Sequence, residues 1–293
     1  MQAKNLVAAI FGVFLGALLS LLVLFIFSAF YGRQALFGQH EGRYISDLHA
    51  RPDHNNEGFR DRDFFIEKKT ARRIAIVGDS FTYGVGIKGN DTYPKQLETN
   101  MADTEIMNFG LYGINSLDML WIVNNKITKY DPDMVIYGFF WNDLVFDSKN
   151  IDFMFCGNVL SISEWISALF SHTLDVLESN GKVFQPEIVY GKYAGKSGIA
   201  CALNSVEEAN RVLGGKLVVY IIPSSATANP DDLFIQDLVE KGLLERNISV
   251  MTGFEEEFYV RANNTDYYVS ATDHHYNREG NRIIAEILQT YLR

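Results

Sequence analysis

The sequence predicts an α/β protein: a three-layer αβα domain with a doubly wound parallel sheet, preceded by one transmembrane helix. Three features carry this reading: short, continuously apolar runs rich in β-branched residues, segments of helical periodicity alternating with them, and an N-terminal stretch without charge. Apolar runs of that kind suit strands covered on both faces, as in a parallel sheet flanked by helices.

The N-terminal stretch comes first. From Asn5 to Gly32 there is no charged residue, which exceeds the roughly 20 apolar residues needed to span a bilayer. A cleaved leader would have a shorter apolar region and a small-x-small site, which Phe27-Ser-Ala-Phe-Tyr31 does not supply. Residues 1–32 therefore read as an uncleaved single-pass anchor. Lys4 lies on one side of it and Arg33, Arg43 and Arg51 on the other, so the distribution of positive charge does not by itself fix the orientation. Residues 33–70 are polar and read as a lead-in, and residues 71–293 as the domain.

Within the domain the strands are expected at Arg73–Val77, Thr104–Phe109, Asp133–Phe140 and Lys216–Ile222, and the helices at Tyr93–Met101, Ser116–Lys129, Asp231–Arg246 and Arg278–Leu292. In the last of these, Ile283, Ile284, Ile287, Leu288 and Leu292 recur at helical spacing. Residues 147–200 interrupt the alternation and read as an insertion with an aromatic-rich helix around Ser161–Leu177, forming a lid or side wall. The β-α-β-α-β order with helices between is that of a doubly wound sheet.

Composition excludes some functions. With a net charge of -10 and a pI near 5.1, the chain lacks the basic face that nucleic-acid binding requires. Cys156 and Cys201 have no zinc-ligand spacing, and the His274-His275 pair has no further ligand cluster near it, so neither a metal nor a cofactor is expected. The two cysteines can be read as a disulfide or as two buried thiols. Gly84-Val-Gly-Ile-Lys-Gly89 matches a dinucleotide fingerprint in letters. It begins several residues after the first strand has ended and does not open a helix, so a nicotinamide site is not expected.

Ligands bind beyond the carboxyl ends of strands in open parallel sheets, and the chemistry-bearing residues cluster there. Ser80 follows the first strand in Gly78-Asp-Ser-Phe81, Gly113 follows the second in Gly110-Leu-Tyr-Gly113, Asn142 follows the third in Trp141-Asn-Asp143, and Asp273-His-His275 precedes the last helix. A serine hydroxyl is a weak nucleophile at neutral pH, so acyl transfer requires an imidazole to take its proton and an acid to hold the imidazole's tautomer. Asp273 and His275, two residues apart in an extended loop, present their side chains to one side. Amides at Ser80, Gly113 and Asn142 supply the donors a tetrahedral oxyanion needs. The competing roles are an N-cap for Ser80, an Asx-turn for Asn142 and a helix cap for Asp273.

These four blocks, in order, resemble those of the SGNH/GDSL hydrolase superfamily, and the similarity extends to Gly58-Phe-Arg-Asp61 and Thr92-Tyr-Pro94, covering roughly residues 55–293. The resemblance implies a flavodoxin-like fold and a cofactor-free serine esterase. Ser80 would be nucleophile and first oxyanion donor, Gly113 and Asn142 the other donors, His275 the general base and Asp273 its partner. It departs at Phe81, which replaces the family's Leu, at Trp141, where a Gly is common, and in the short acid-to-histidine spacing, which resembles polysaccharide-acting members. The implied substrate is a carboxylic ester, an O-acetyl group on cell-envelope carbohydrate before a lipid ester, with the domain on the periplasmic or extracellular side. Alternatives are an O-acetyltransferase using the same triad and a non-catalytic carbohydrate-binding scaffold.

Overall fold

The computed structural model describes residues 53–144, 196–223, 230–263 and 266–293, with Gly16 and Leu19 of the N-terminal run. Five strands form one parallel sheet in the order β2-β1-β3-β4-β5. They are β1 (Arg72–Gly78), β2 (Thr104–Gly110), β3 (Met134–Phe139), β4 (Leu217–Ile221) and β5 (Ser249–Val250). The chain steps from β1 outward to β2, then crosses back past β1 to β3. The reversal opens a crevice beyond the carboxyl ends of β1 and β3.

Strand side chains alternate between two cores. Ala75, Val77, Phe109, Val135 and Val219 face one layer, where they meet helices α3 (Ser116–Ile122), α4 (Lys196–Val212) and α5 (Pro230–Glu245). Ile74, Ile76, Ile106, Ile136 and Tyr220 face the other, against α2 (Tyr93–Asn100), α6 (Phe254–Ala262) and α7 (Arg278–Leu292). The helical repeat noted in the last segment is the buried stripe of α7, in which Ile283, Ile284, Ile287 and Leu288 are fully inaccessible. Burying one such side chain contributes about 1.5–3 kcal/mol. Pro94 lies in the first turn of α2, where its missing N–H has no partner to lose.

One helix is shorter than expected. The segment expected to be helical over Ser116–Lys129 is α-helical only to Ile122; Val123–Ile127 is a π turn and Thr128–Tyr130 a 3₁₀ turn. From residue 53 on, the lead-in packs against the domain. Phe59 is completely buried and stacks edge-on against Phe109, and Asp61 accepts from Asn108 N and pairs with Lys95. The insertion lies outside the described residues up to 195, and its last residues begin α4. The anchor assigned to residues 1–32 lies outside the described residues except for Gly16 and Leu19, which are helical and exposed. Among the described residues no helix is long and apolar enough to cross a membrane.

Candidate active site

Three glycines in register make room for the site. Gly78 pairs with Gly110 on one side and Gly138 on the other, a row across the three central strands. A Cβ on Gly110 would lie 2.4 Å from Tyr83 N and 2.5 Å from Thr82 C, and one on Gly78 would lie 2.8 Å from Gly138 O. Side chains here would collide with backbone, so the row lets the short helix α1 (Ser80–Tyr83) settle onto the sheet's carboxyl edge. Gly84, in the left-handed region at φ 80°, ends α1 and returns its N–H to Ser80 O. The supposed dinucleotide fingerprint thus opens with a helix C-cap, and α2 begins only at Tyr93.

The lead-in braces this turn from outside. Arg60 donates to the carbonyls of Gly84 and Ile87 at 2.7 and 2.8 Å, and its guanidinium lies over the Tyr83 ring. Asn108, whose N–H is held by Asp61, donates its amide to Thr82 O.

Ser80 Oγ lies 2.8 Å from His275 Nε2, and His275 Nδ1 lies 2.6 Å from Asp273 Oδ1. Asp273 Oδ1 also accepts the His275 backbone N–H at 3.1 Å, so one oxygen fixes both ring and main chain. The loop carrying them is held by Val269 N donating to His275 O and Ser270 N to Asp273 O. Asn277 caps α7 through Glu279 N and Gly280 N, which leaves Asp273 free of the capping role. Hydrogen bonds from the His275 ring and then its N–H hold the Asp273 carboxyl below the usual carboxylate range. The Phe81 ring packs against His275 with centroids 5.0 Å apart. His274 points elsewhere, against Tyr268.

The three oxyanion candidates lie just past the carboxyl ends of β1, β2 and β3. Its own N–H, in the first turn of α1, has no acceptor within the helix. Gly113 sits in the exposed turn after β2 with φ 74°, in open space that a Cβ would not fill. Asn142 follows β3 in a 3₁₀ turn, and its side chain hydrogen-bonds to Asp79. An amide NH₂ has two protons, so the bond to Asp79 leaves one of them unused.

Sequence reasoning passed over Asp79, although it lies inside the first block. Its fully buried carboxylate accepts Phe81 N at 3.0 Å, lies 3.3 Å from Ser80 Oγ and receives the Asn142 side chain. It ties the turn that carries Ser80 to Asn142. Burial pushes the Asp79 carboxyl up, against the hydrogen bonds from Phe81 and Asn142. Asp143, equally buried, accepts from Tyr137 Oη at 2.8 Å and Phe140 N at 3.1 Å. Burial, with the charge of Asp79 added, drives it well above the carboxylate range. The signal for both was an acid adjacent to a site residue at a strand's end. Among the described residues no group of three or more His, Cys, Asp or Glu could hold a metal ion.

A strand-end serine bonded to an imidazole, with a carboxylate on the far ring nitrogen, is the arrangement of a serine hydrolase on an open α/β sheet. Among solved structures, the chain is similar to a member of the lipolytic G-D-S-L family from Veillonella parvula, at 17% identity and a TM-score of 0.46, covering 76% of this chain and 100% of that one. It is similar to the acetyl xylan esterase AlAXEase at 15% identity and a TM-score of 0.45, over 75% of this chain and 100% of that one. A third similarity is to the psychrotrophic esterase EstA from Pseudoalteromonas sp., at 13% identity and a TM-score of 0.43, over 75% and 94% of the two chains. No family model matches the chain, and no curated protein matches it.

Proposed function

We infer that the protein is an ester hydrolase of the SGNH/GDSL type, with Ser80 as nucleophile, His275 as general base and Asp273 as its partner. The observation that carries this is the unbroken relay of 2.8 and 2.6 Å from Ser80 Oγ through His275 to Asp273. With the Nδ1 proton donated to Asp273, Nε2 is left as an acceptor for the Ser80 hydroxyl proton. Oγ attacks the ester carbonyl, the proton passes to Nε2, and the tetrahedral oxyanion is met by Ser80 N, Gly113 N and the Asn142 amide. His275 then returns the proton to the leaving alcohol, and water repeats the sequence on the acyl-enzyme. Every group needed belongs to the chain, so no step calls on a cofactor.

The substrate proposed first is an O-acetyl group on cell-envelope carbohydrate. The short acid-to-histidine spacing and the apolar stretch at residues 1–32, read as a membrane tether, support it. The domain is proposed to lie on the periplasmic or extracellular side, where a tethered esterase meets such carbohydrate. Of the two cysteines, Cys201 is buried in α4 and Cys156 lies outside the described residues.

The test is turnover by the purified full-length protein in detergent of 4-nitrophenyl acetate, a long-chain 4-nitrophenyl ester and acetylated polysaccharide, each beside Ser80→Ala. The proposal expects acetate release from the polysaccharide and preference for the short ester, both lost in the variant. Faster turnover of the long-chain ester with no acetate release would move the assignment to lipid esters. Turnover unaffected by Ser80→Ala would overturn it.

A further inference from the structure

A second cleft lies beyond the carboxyl ends of β4 and β5, between the two helical layers, with a volume of about 400 Å³. Ile221, the last residue of β4, and Met251, just past β5, form its floor with Phe254. The size falls within the range of small-molecule sites, and the position is the edge where open parallel sheets bind ligands. In this sheet order β4 lies two strands from β1. At about 4.8 Å per strand the cleft begins roughly 10 Å along the same edge from the strand that carries Ser80.

Its lining is acidic. Asp237 and Glu240 come from α5, and Glu255 and Glu256 from α6, against the single ammonium of Lys241. Asp237, Glu240 and Glu256 pair with no cation among the described residues. Acids in the first turn of α6 are accounted for by that helix's positive end. Asp237 and Glu240 are not, because they lie in the middle of α5 and face the α6 acids. All three carboxyls line the one cleft, and burial, then the charges of Asp237 and Glu256, push the Glu240 carboxyl up.

Independently of these charges, Gln236 also lines the cleft. It is 4% exposed, yet neither its Nε2 nor its Oε1 has a hydrogen-bond partner. Buried amides are almost always paired, so a donor and an acceptor stand unused beside an excess of negative charge. Leu244 adds an exposed apolar side chain at the rim.

We propose that this cleft binds a primary amine carried on a small hydroxylated body, an amino sugar being the simplest form. The ammonium sits among Glu240, Asp237 and Glu256, the hydroxyls pair with the Gln236 amide, and the apolar face lies on Leu244 and Phe254. The site involves no bond making, and it stands whether or not Ser80 hydrolyses esters.

The test is isothermal titration of the full-length protein in detergent with D-glucosamine, beside D-glucose and at constant ionic strength. Glucosamine is expected to bind at least tenfold more tightly than glucose. Glu240→Gln, which keeps the shape and removes a like-charge contact, should weaken glucosamine tenfold or more. Gln236→Leu should weaken it severalfold, while Ser80→Ala leaves it unchanged. Equal affinity for the two sugars, no binding of either, or unchanged affinity in Glu240→Gln would overturn the proposal.

Discussion

The way Asp273 holds His275 sets apart two substitutions that would ordinarily be grouped together. Oδ1 of Asp273 accepts both the ring Nδ1–H at 2.6 Å and the backbone N–H of His275 at 3.1 Å, and the side chain is 38% exposed. In Asp273→Asn, an amide oxygen placed at the Oδ1 position keeps both bonds, and its NH₂ turns toward water. What disappears is the charge. Hydrogen bonds to charged groups are worth about 1.5–3 kcal/mol against about 0.5–1.5 for neutral ones, a difference of about 1–2 kcal/mol. At about 1.36 kcal/mol per decade, kcat/KM should fall roughly 5- to 30-fold. Asp273→Ala removes the tautomer lock and the main-chain tie together, and the loss should reach the order of 10³–10⁴-fold. The assay is steady-state hydrolysis of 4-nitrophenyl acetate by both variants, with circular dichroism to confirm folding. If Asn fell as far as Ala, the double role of Oδ1 would be refuted. If Ala stayed within tenfold of wild type, Asp273 would not be the partner of His275.

Other outcomes follow from the same geometry. Asn142→Ala removes one oxyanion donor and should lower kcat by about 10²–10³-fold with little change in KM, as read by the same kinetics. Gly110→Ala drives a Cβ into the backbone of Thr82 and Tyr83; overpacking of about 1–3 kcal/mol should lower the melting temperature by about 2–12 °C. The Asp133 carboxyl, raised by burial but lowered more by its bonds from Lys68 and Arg73 N, lies below its usual range. Its contribution to stability is therefore complete above the unfolded carboxylate pKa and lost as the pH falls through the lower folded value. Thermal melts should accordingly decline on acidification below about pH 4, and Asp133→Asn should flatten that decline.

How much of this was legible in the sequence depended on how local the signal was. Four of the five strands were readable because each is a continuous apolar run, and α7 because its buried stripe repeats every three to four residues. The two-residue β5 carries no run long enough to read, and α6 carries Glu255, Glu256 and Glu257 in its first turn. The break in the Ser116–Lys129 helix was invisible because π and α turns share the same side-chain pattern to within a residue. Ser80, His275 and Asp273 could be singled out because acyl transfer calls for those residue types beside strand ends, and the structure brings the three within hydrogen-bonding distance. The packing of Phe59 and Asp61 and the reach of Arg60 to Gly84 are tertiary facts, and a polar, charged segment gives no periodicity from which to infer them. The same holds for Gln236, an unremarked helical residue until α6 and β5 close a cleft around it.

The central claim is that Ser80 is an activated nucleophile, and covalent capture tests it most directly. The full-length protein should be incubated with a fluorophosphonate, digested, and the adduct located by mass spectrometry, alongside Ser80→Ala and His275→Ala. The expected result is a stoichiometric adduct on Ser80, absent from Ser80→Ala and formed far more slowly in His275→Ala. An adduct on another residue, no adduct at all, or labelling of Ser80 at an undiminished rate without His275 would contradict the relay.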